Sequence, residues 1–166
     1  MDNKTRKIVF SAMMAALACV ATMIIKIPSP LKGYFNLGDC IVLLCGWLLG
    51  PVYGFFSAGI GSAMADIFSG YAVYEPATFV IKGFMTLISF GCYELIAKKA
   101  KIITARVISG TLSEIIMVLG YFIFEGILYG FMPSVLNIPT NIAQGVIGLI
   151  VALLLARVFE KAKFKL

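Results

Sequence analysis

Apolar positions run in long blocks along this chain, and charged positions gather between them. Ile8 to Ile25 carries no charge, and the segment Lys26-Ile27-Pro28-Ser29-Pro30 closes that block. The next uncharged run, Cys40 to Ala65, is longer than the roughly 20 residues one membrane span requires. Gly50-Pro51 divides it, because proline ends a helix and disfavours helical geometry just before itself. The last uncharged run, Gly126 to Ala156, is broken by Pro133 and Pro139 into a loop and a helix. The pattern predicts six helices, at about 8–26, 37–49, 52–69, 77–97, 106–128 and 140–159, in a single membrane domain covering 1–166. No internal repeat or low-complexity segment is visible.

Composition supports a bilayer as the solvent. The 166 residues are 61% hydrophobic with mean hydropathy +1.00, and a soluble domain of this size could not hide that much apolar side chain. The fold class expected is an all-α integral membrane protein. The net charge of +6 does not call for nucleic acid, because the basic residues flank apolar segments. With six crossings, one side receives eleven: Lys4, Arg6, Lys7, Lys98, Lys99, Lys101, Arg106, Arg157, Lys161, Lys163 and Lys165. The other side receives three, Lys26, Lys32 and Lys82. The positive-inside rule then places both termini in the cytoplasm. Five crossings would erase the bias. No cleavable signal peptide is expected, because the first apolar run is too long for one and further spans follow.

The chain has four cysteines and no histidine. Cys40 and Cys45 do not have metal-ligand spacing, and Cys19 and Cys92 stand alone; all four read as small buried hydrophobes. No metal site and no cofactor are expected. Small residues suggest helix contacts: Ser57, Gly61 and Ala65 repeat every four residues on the third helix, and Ala12 and Ala16 do so on the first.

Ionisable groups at membrane depth are expensive and mark function by default. Asp39, Asp66, Glu75, Lys82 and Glu125 fall toward the outer side in this topology. Glu94 and Glu160 fall near the cytoplasmic ends and read as solvated. Glu114, Val118, Tyr121 and Glu125 share one face of the fifth helix by 4-3-4 spacing, and Asn137, Asn141, Gln144 and Gly148 repeat that spacing. Thr78, Lys82 and Met85 share a face of the fourth helix, which starts after Pro76. The stretch Ser69 to Gly83, with two tyrosines, a glutamate and a lysine, is expected to wall a pocket open to the outside. The first outer loop adds Tyr34, Phe35 and Asn36. The expected substrate-binding residues are Tyr34, Asn36, Asp66, Tyr74, Glu75, Lys82, Tyr121, Glu125, Asn141 and Gln144. Rings, amides and a surplus of acid suit a small polar aromatic ligand. Structural roles compete: Asp39 and Asp66 as caps or pairs, Lys82 as a partner of Glu75 or Asp66, Tyr34, Tyr71 and Tyr74 as an interfacial belt. Glu114 reads equally as a pocket group or a pairing partner.

Four blocks carry a family resemblance: Asn36–Asp39 (NLGD), Leu48–Tyr71 (LLGPVYGFFSAGIGSAMADIFSGY), Pro76–Gly83 (PATFVIKG) and Ile138–Gly148 (IPTNIAQGVIG). In order and spacing they resemble the substrate-binding S components of energy-coupling factor (ECF) vitamin transporters, over nearly the whole chain. The resemblance implies a six-helix bundle that binds a vitamin or precursor from outside. It implies docking on a transmembrane T component that carries two cytoplasmic ATPases. The family's Ala-x-x-x-Ala contact with that partner maps onto Ala12 and Ala16, and its lid loop onto Lys32 to Asn36. The riboflavin, pyridoxine and hydroxymethylpyrimidine subgroup is the nearest in pattern. A thiamine-type site uses several tryptophans and a histidine, whereas this chain has only Trp47 and no histidine. That counts against a thiamine-type site, and riboflavin would need a larger pocket, so a one-ring pyridine or pyrimidine is favoured, with riboflavin next; the implied location is the bacterial plasma membrane.

Other classes are weaker. No G-x-x-x-x-G-K-[ST] loop occurs, so energy must come from partners and the chain is expected not to be an enzyme. An intramembrane aspartyl protease would use Asp39 and Asp66, but Asn36 stands where its G-x-G-D pattern needs glycine. A rhomboid-like protease needs histidine. The alternative is a stand-alone small-solute transporter or channel, although the inverted repeat of many such proteins is not visible.

Overall fold

The computed structural model describes residues 3–30 and 33–161; Lys32 in the expected lid loop, and Lys163 and Lys165 in the charge comparison, lie outside them. The chain forms α1 (Asn3–Ile24), a two-stranded ribbon of β1 (Ile27–Pro28) and β2 (Tyr34–Phe35), α2 (Gly38–Leu49), α3 (Pro51–Phe68), α4 (Glu75–Ala97), α5 (Ile102–Tyr129), the short α6 (Phe131–Ser134), a 3-10 turn (Val135–Asn137) and α7 (Ile138–Lys161). Six of the described helices have 12 residues or more, and α1, α4, α5 and the segment Phe131–Lys161 are long and apolar enough to cross a membrane, with α2 a shorter apolar helix. The first helix begins at Asn3 and ends at Ile24, against an expected span of about 8–26. The stretch after Tyr129, expected as a loop, is a helical turn and a 3-10 turn. The first loop is a small antiparallel ribbon pairing Ile27 with Phe35 and Pro28 with Tyr34.

Local chemistry explains the breaks. Gly50 sits at φ +77°, a left-handed geometry that favours glycine, and Pro51 opens α3 where its missing N–H costs nothing. The chain therefore reverses there without a linker. Gly130, at φ +93°, turns the chain again after α5.

Helix α2 is the hub. Every residue from Gly38 to Trp47 is buried, and α1, α3, α4 and α7 all pack on it. At 12 residues it is about 18 Å long, shorter than the roughly 30 Å hydrocarbon core. Its neighbours shield it from lipid, so its apolar character is that of a protein core. The core holds Met14, Leu43, Leu44, Met85 and Met117.

The small-residue stripe on α3 meets α1. Ser57 donates to the Ser11 carbonyl at 3.0 Å, and Ala65 is fully buried. A Cβ on Gly61 would come to 2.9 Å from the Ala18 Cβ and also meet the Ala15 backbone. Backbone cannot step aside, so Gly61→Val should separate α1 from α3 at a cost of about 1–3 kcal/mol. Thermal unfolding of the purified protein checks this; an unchanged melting temperature would show that the two helices slide freely.

At the other end of the bundle Arg106 pairs with Glu160 at 2.8 Å. Its guanidinium also lies 5.7 Å from the Trp47 ring and 5.8 Å from the Tyr93 ring. Glu160, read as a solvated surface acid, is thus half-exposed but paired. Trp47 donates to Ser109 at 3.1 Å.

Candidate ligand site

The ribbon closes over one end of the bundle, and a polar cavity lies beneath it. Tyr34 of the ribbon and Asn36 just after it form the roof, and Asp66 enters from α3. Tyr74 and Thr78 enter from the start of α4, Tyr121 and Glu125 from α5, Asn141 and Gln144 from α7. Eight of the ten expected binding residues therefore border one space. Lys82 and Glu75 do not border it. Lys82 is buried one layer below, its ammonium 5.4 Å from the Tyr121 ring centroid. Glu75 is half-buried in the first turn of α4.

Geometry divides the site into two layers. In the upper layer Tyr34 donates to Asp66 Oδ1 at 2.7 Å. Burial, and then the Asp66 charge, push the Tyr34 phenol above its ordinary pKa, so it stays a donor. Tyr74 donates to Glu125 Oε1 at 3.3 Å, and Asn137 donates to the same oxygen at 2.8 Å. Burial, then Glu125, raise the Tyr74 phenol in the same way. Thr78 and Tyr121 share a hydrogen bond of 3.0 Å. The Tyr34 and Tyr71 rings meet at a 44° tilt with centroids 4.6 Å apart, and Tyr71 meets Tyr74 edge-on at 6.4 Å.

The lower layer is a closed polar chain. Gln144 Oε1 accepts from the Asn36 backbone N–H at 2.9 Å and from its side-chain amide at 3.2 Å. Gln144 Nε2 donates to Asp39 Oδ2 at 2.7 Å. The other Asp39 oxygen pairs with Lys82. The partner of Lys82 is therefore Asp39, not Glu75 or Asp66 as the sequence suggested. The physical reason is that α2 is central, so its first turn faces α4 and α7 together. Asn36 Oδ1 accepts from the Gly38 N–H at 2.9 Å, which ties the roof to the start of α2.

Two acceptor atoms are left over. Asp66 Oδ2 and Glu125 Oε2 are buried without a protein hydrogen bond, and both residues border the cavity. Buried oxygens of this kind cost free energy unless something donates to them. The cavity as closed holds about 30 Å³, room for one or two waters and far below the roughly 300 Å³ at which small-molecule sites begin. Asp39 and Asp66, the pair a protease would need, are each committed elsewhere, Asp39 to Lys82 and Gln144, Asp66 to Tyr34. Asp39, Asn137, Thr78, Ser29 and Gly33 were not among the expected binding residues, yet all but Asp39 and Asn137 border the cavity. The 4-3-4 spacing had already pointed to Asn137, and the NLGD block contained Asp39. Ser29 and Gly33 lie in an irregular loop and carried no periodic signal.

Residues 2–161 match the family model of the ECF-type riboflavin transporter S component. The chain belongs to that family. An uncharacterized protein of Pyrococcus woesei is 39% identical over 134 residues, 80% of this chain and 86% of that protein. The thiamine precursor transporter HmpT of Lactococcus lactis is 26% identical over 164 residues, 97% of this chain and 92% of HmpT. Among solved structures, the S component of a bacterial ECF transporter superposes with TM-score 0.74 at 25% identity, covering 98% of this chain and all of that one. As an ECF S component the chain is a multi-pass membrane protein and a substrate-binding transport subunit, not an enzyme. Its substrate class is that of vitamins and their precursors.

Proposed function

We propose that this S component captures a one-ring vitamin or precursor, a pyridoxine or a hydroxymethylpyrimidine, from outside the cell, with riboflavin as the next choice. The single observation that carries the reading is the pair of unpartnered carboxylate oxygens, Asp66 Oδ2 and Glu125 Oε2, bordering a cavity roofed by tyrosines. Hydroxymethyl and amino substituents on a flat ring supply the missing donors, and Tyr34 and Tyr121 supply ring faces. Asn141 and Gln144 orient the ring from α7. The resemblance of the full chain to a thiamine precursor transporter supports a small ring, and the riboflavin transporters for which the matching family model is named keep a flavin as the next choice. Six crossings with both termini in the cytoplasm place this cavity on the outer face, following the basic residues. The ribbon of β1 and β2 acts as the lid.

Uptake in this reading is driven by partners. The subunit docks on a T component with two cytoplasmic ATPases, and their cycle reorients it to release ligand inward. Ala12 and Ala16 are exposed on α1, while Met14 and Ala18 between and beyond them are buried. That leaves a small-residue stripe free for a partner helix. Ala12→Leu with Ala16→Leu should abolish uptake in cells with vitamin affinity of the purified subunit unchanged. Retained uptake would move the docking surface elsewhere.

The deciding experiment is to purify the protein, denature it, and identify released small molecules by mass spectrometry. A pyridine or pyrimidine in near-equal molar amount supports the reading, and a flavin moves it to the second choice. An empty protein with no thermal shift across a vitamin panel overturns it. Concentrative uptake by the protein alone in liposomes would instead favour a stand-alone transporter.

A further inference from the structure

The charge around the ligand site does not balance. Among the described residues, the charged ones that border the cavity are Asp66 and Glu125, 4% and 2% exposed. The donors that reach them are neutral. Asp66 takes the Tyr34 phenol, and Glu125 takes the Tyr74 phenol and the Asn137 amide. Each keeps one oxygen with no hydrogen bond. Neither forms a salt bridge; those among the described residues are Lys82–Asp39 and Arg106–Glu160.

The neighbouring charges offer no relief. Lys82 of α4, one layer below, is committed to Asp39 of α2, so that pair is neutral as a unit. Glu114 of α5 and Glu75 of α4 add acid rather than base. Helix α7 brings only the amides of Asn141 and Gln144 to the cavity. Lys26, ahead of the ribbon, is exposed and donates to Ser69 at 3.0 Å. The helix dipoles add to the imbalance. Asp66 stands in the last turn of α3 and Glu125 just before the last turn of α5, toward the ends where unpaired carbonyls make an anion less favourable. Two buried carboxylates so placed, with neutral donors alone, are costly until a positive charge arrives.

The aromatic groups fit the same occupant. Tyr34, Tyr74 and Tyr121 border the cavity, and a tyrosine face attracts a cation within about 6 Å of its centroid. Tyr121 already does so for the Lys82 ammonium, at 5.4 Å. A ligand hydroxyl brings one donor and no charge. A protonated amine brings up to three donors and the charge that is missing. We propose that the cavity takes its ligand as a cation, a one-ring heterocycle whose positive charge sits on an amine or a protonated ring nitrogen, with the charged N–H groups on Asp66 and Glu125. This rests on the reading of the chain as a binding subunit for a one-ring vitamin or precursor, and adds the charge of the bound form. It ranks amine-bearing rings first, their hydroxymethyl counterparts second and a neutral flavin last.

The test is titration calorimetry on the full chain in lipid nanodiscs with two matched pairs of probes. Pyridoxamine and pyridoxine differ in one substituent, an aminomethyl against a hydroxymethyl. The aminomethyl and hydroxymethyl forms of methylaminopyrimidine differ in the same way. At about pH 7 the aminomethyl group is protonated, as a lysine amine is. In whichever ring binds, the amine is expected to bind at least about tenfold tighter than the alcohol, since charge-assisted hydrogen bonds are roughly twice as strong as neutral ones. Asp66→Asn with Glu125→Gln, equal in size, should erase that preference, and Glu75→Gln should keep it. The proposal fails if the alcohol binds as tightly as the amine, which would mean that both acids hold protons. It also fails if the preference survives in the double variant, or if riboflavin binds and all four probes do not. The first two of these failures leave the one-ring reading standing. If neither the four probes nor riboflavin binds, the vitamin reading itself is overturned, and this proposal with it.

Discussion

Lys82→Met is expected to destabilise the protein by about 3–5 kcal/mol, because it strands a buried carboxylate. Lys82 is 2% exposed and Asp39 is fully buried. Removing the cation leaves Asp39 with one neutral donor, Gln144, at 2.7 Å. A loss of that size is a large part of the roughly 5–15 kcal/mol that holds a typical domain folded. The partner change separates charge from packing. In Lys82→Met with Asp39→Asn, the charge is gone and the Asn oxygen still accepts from Gln144. The double variant should therefore regain much of the lost stability. A double-mutant cycle on melting temperature and denaturant midpoint measures this. Strict additivity of the two single losses would show that the pair acts as two independent core residues, and the two-layer account of the site would fall. The consequence for ligand capture follows from the same contacts. Asp39 holds Gln144, Gln144 holds Asn36, and Asn36 holds the lid segment, so the double variant, which keeps that chain, should bind vitamin about as tightly as its stability allows.

Asp66→Asn should weaken vitamin binding by about 10- to 100-fold, with little change in stability. The Asn oxygen still accepts from Tyr34, so the 2.7 Å contact survives. The other atom changes from a free acceptor to an N–H donor. A ligand hydroxyl or amine that donated to Oδ2 then meets a donor. Losing a hydrogen bond to a charged group costs about 1.5–3 kcal/mol, and each 1.4 kcal/mol is a factor of about ten. Glu75→Gln is the matched control, one negative charge fewer at a residue that does not border the cavity; its affinity should be unchanged. Titration calorimetry with the vitamin found in the purified protein reads both. Equal losses at Asp66 and Glu75 would mean that the site responds to net charge alone. No loss at Asp66 would move the ligand away from the upper layer.

Much of this arrangement was legible from one-dimensional pattern. Long uncharged runs and Gly50-Pro51 located the helices, since helix length and proline chemistry act within a few residues. The 4-3-4 spacing put Tyr121 and Glu125 on one face, and the same arithmetic joined Asn141 to Gln144. The stretch from Ser69 to Gly83 does supply a wall, through Tyr74 and Thr78. The failures share a cause. Lys82 was paired with acids close to it in sequence or in expected depth, and its partner came from a helix 43 residues away. Pairing of that kind depends on which helix sits at the centre, and no periodicity encodes that.

The sequence by itself determined the solvent, the six main helices and the family. Hydropathy sums over 20 residues, and motif order survives without coordinates. It also determined that acids, amides and tyrosines gather toward one end. Only the tertiary structure decided how these groups are spent. Placing α2 at the hub commits Asp39, Lys82, Gln144 and Asn36 to one another, leaving Asp66 and Glu125 with the free oxygens. Hydrogen bonds are satisfied over about 3 Å, so a shift of one helix by a single turn would have redistributed every one of these partners.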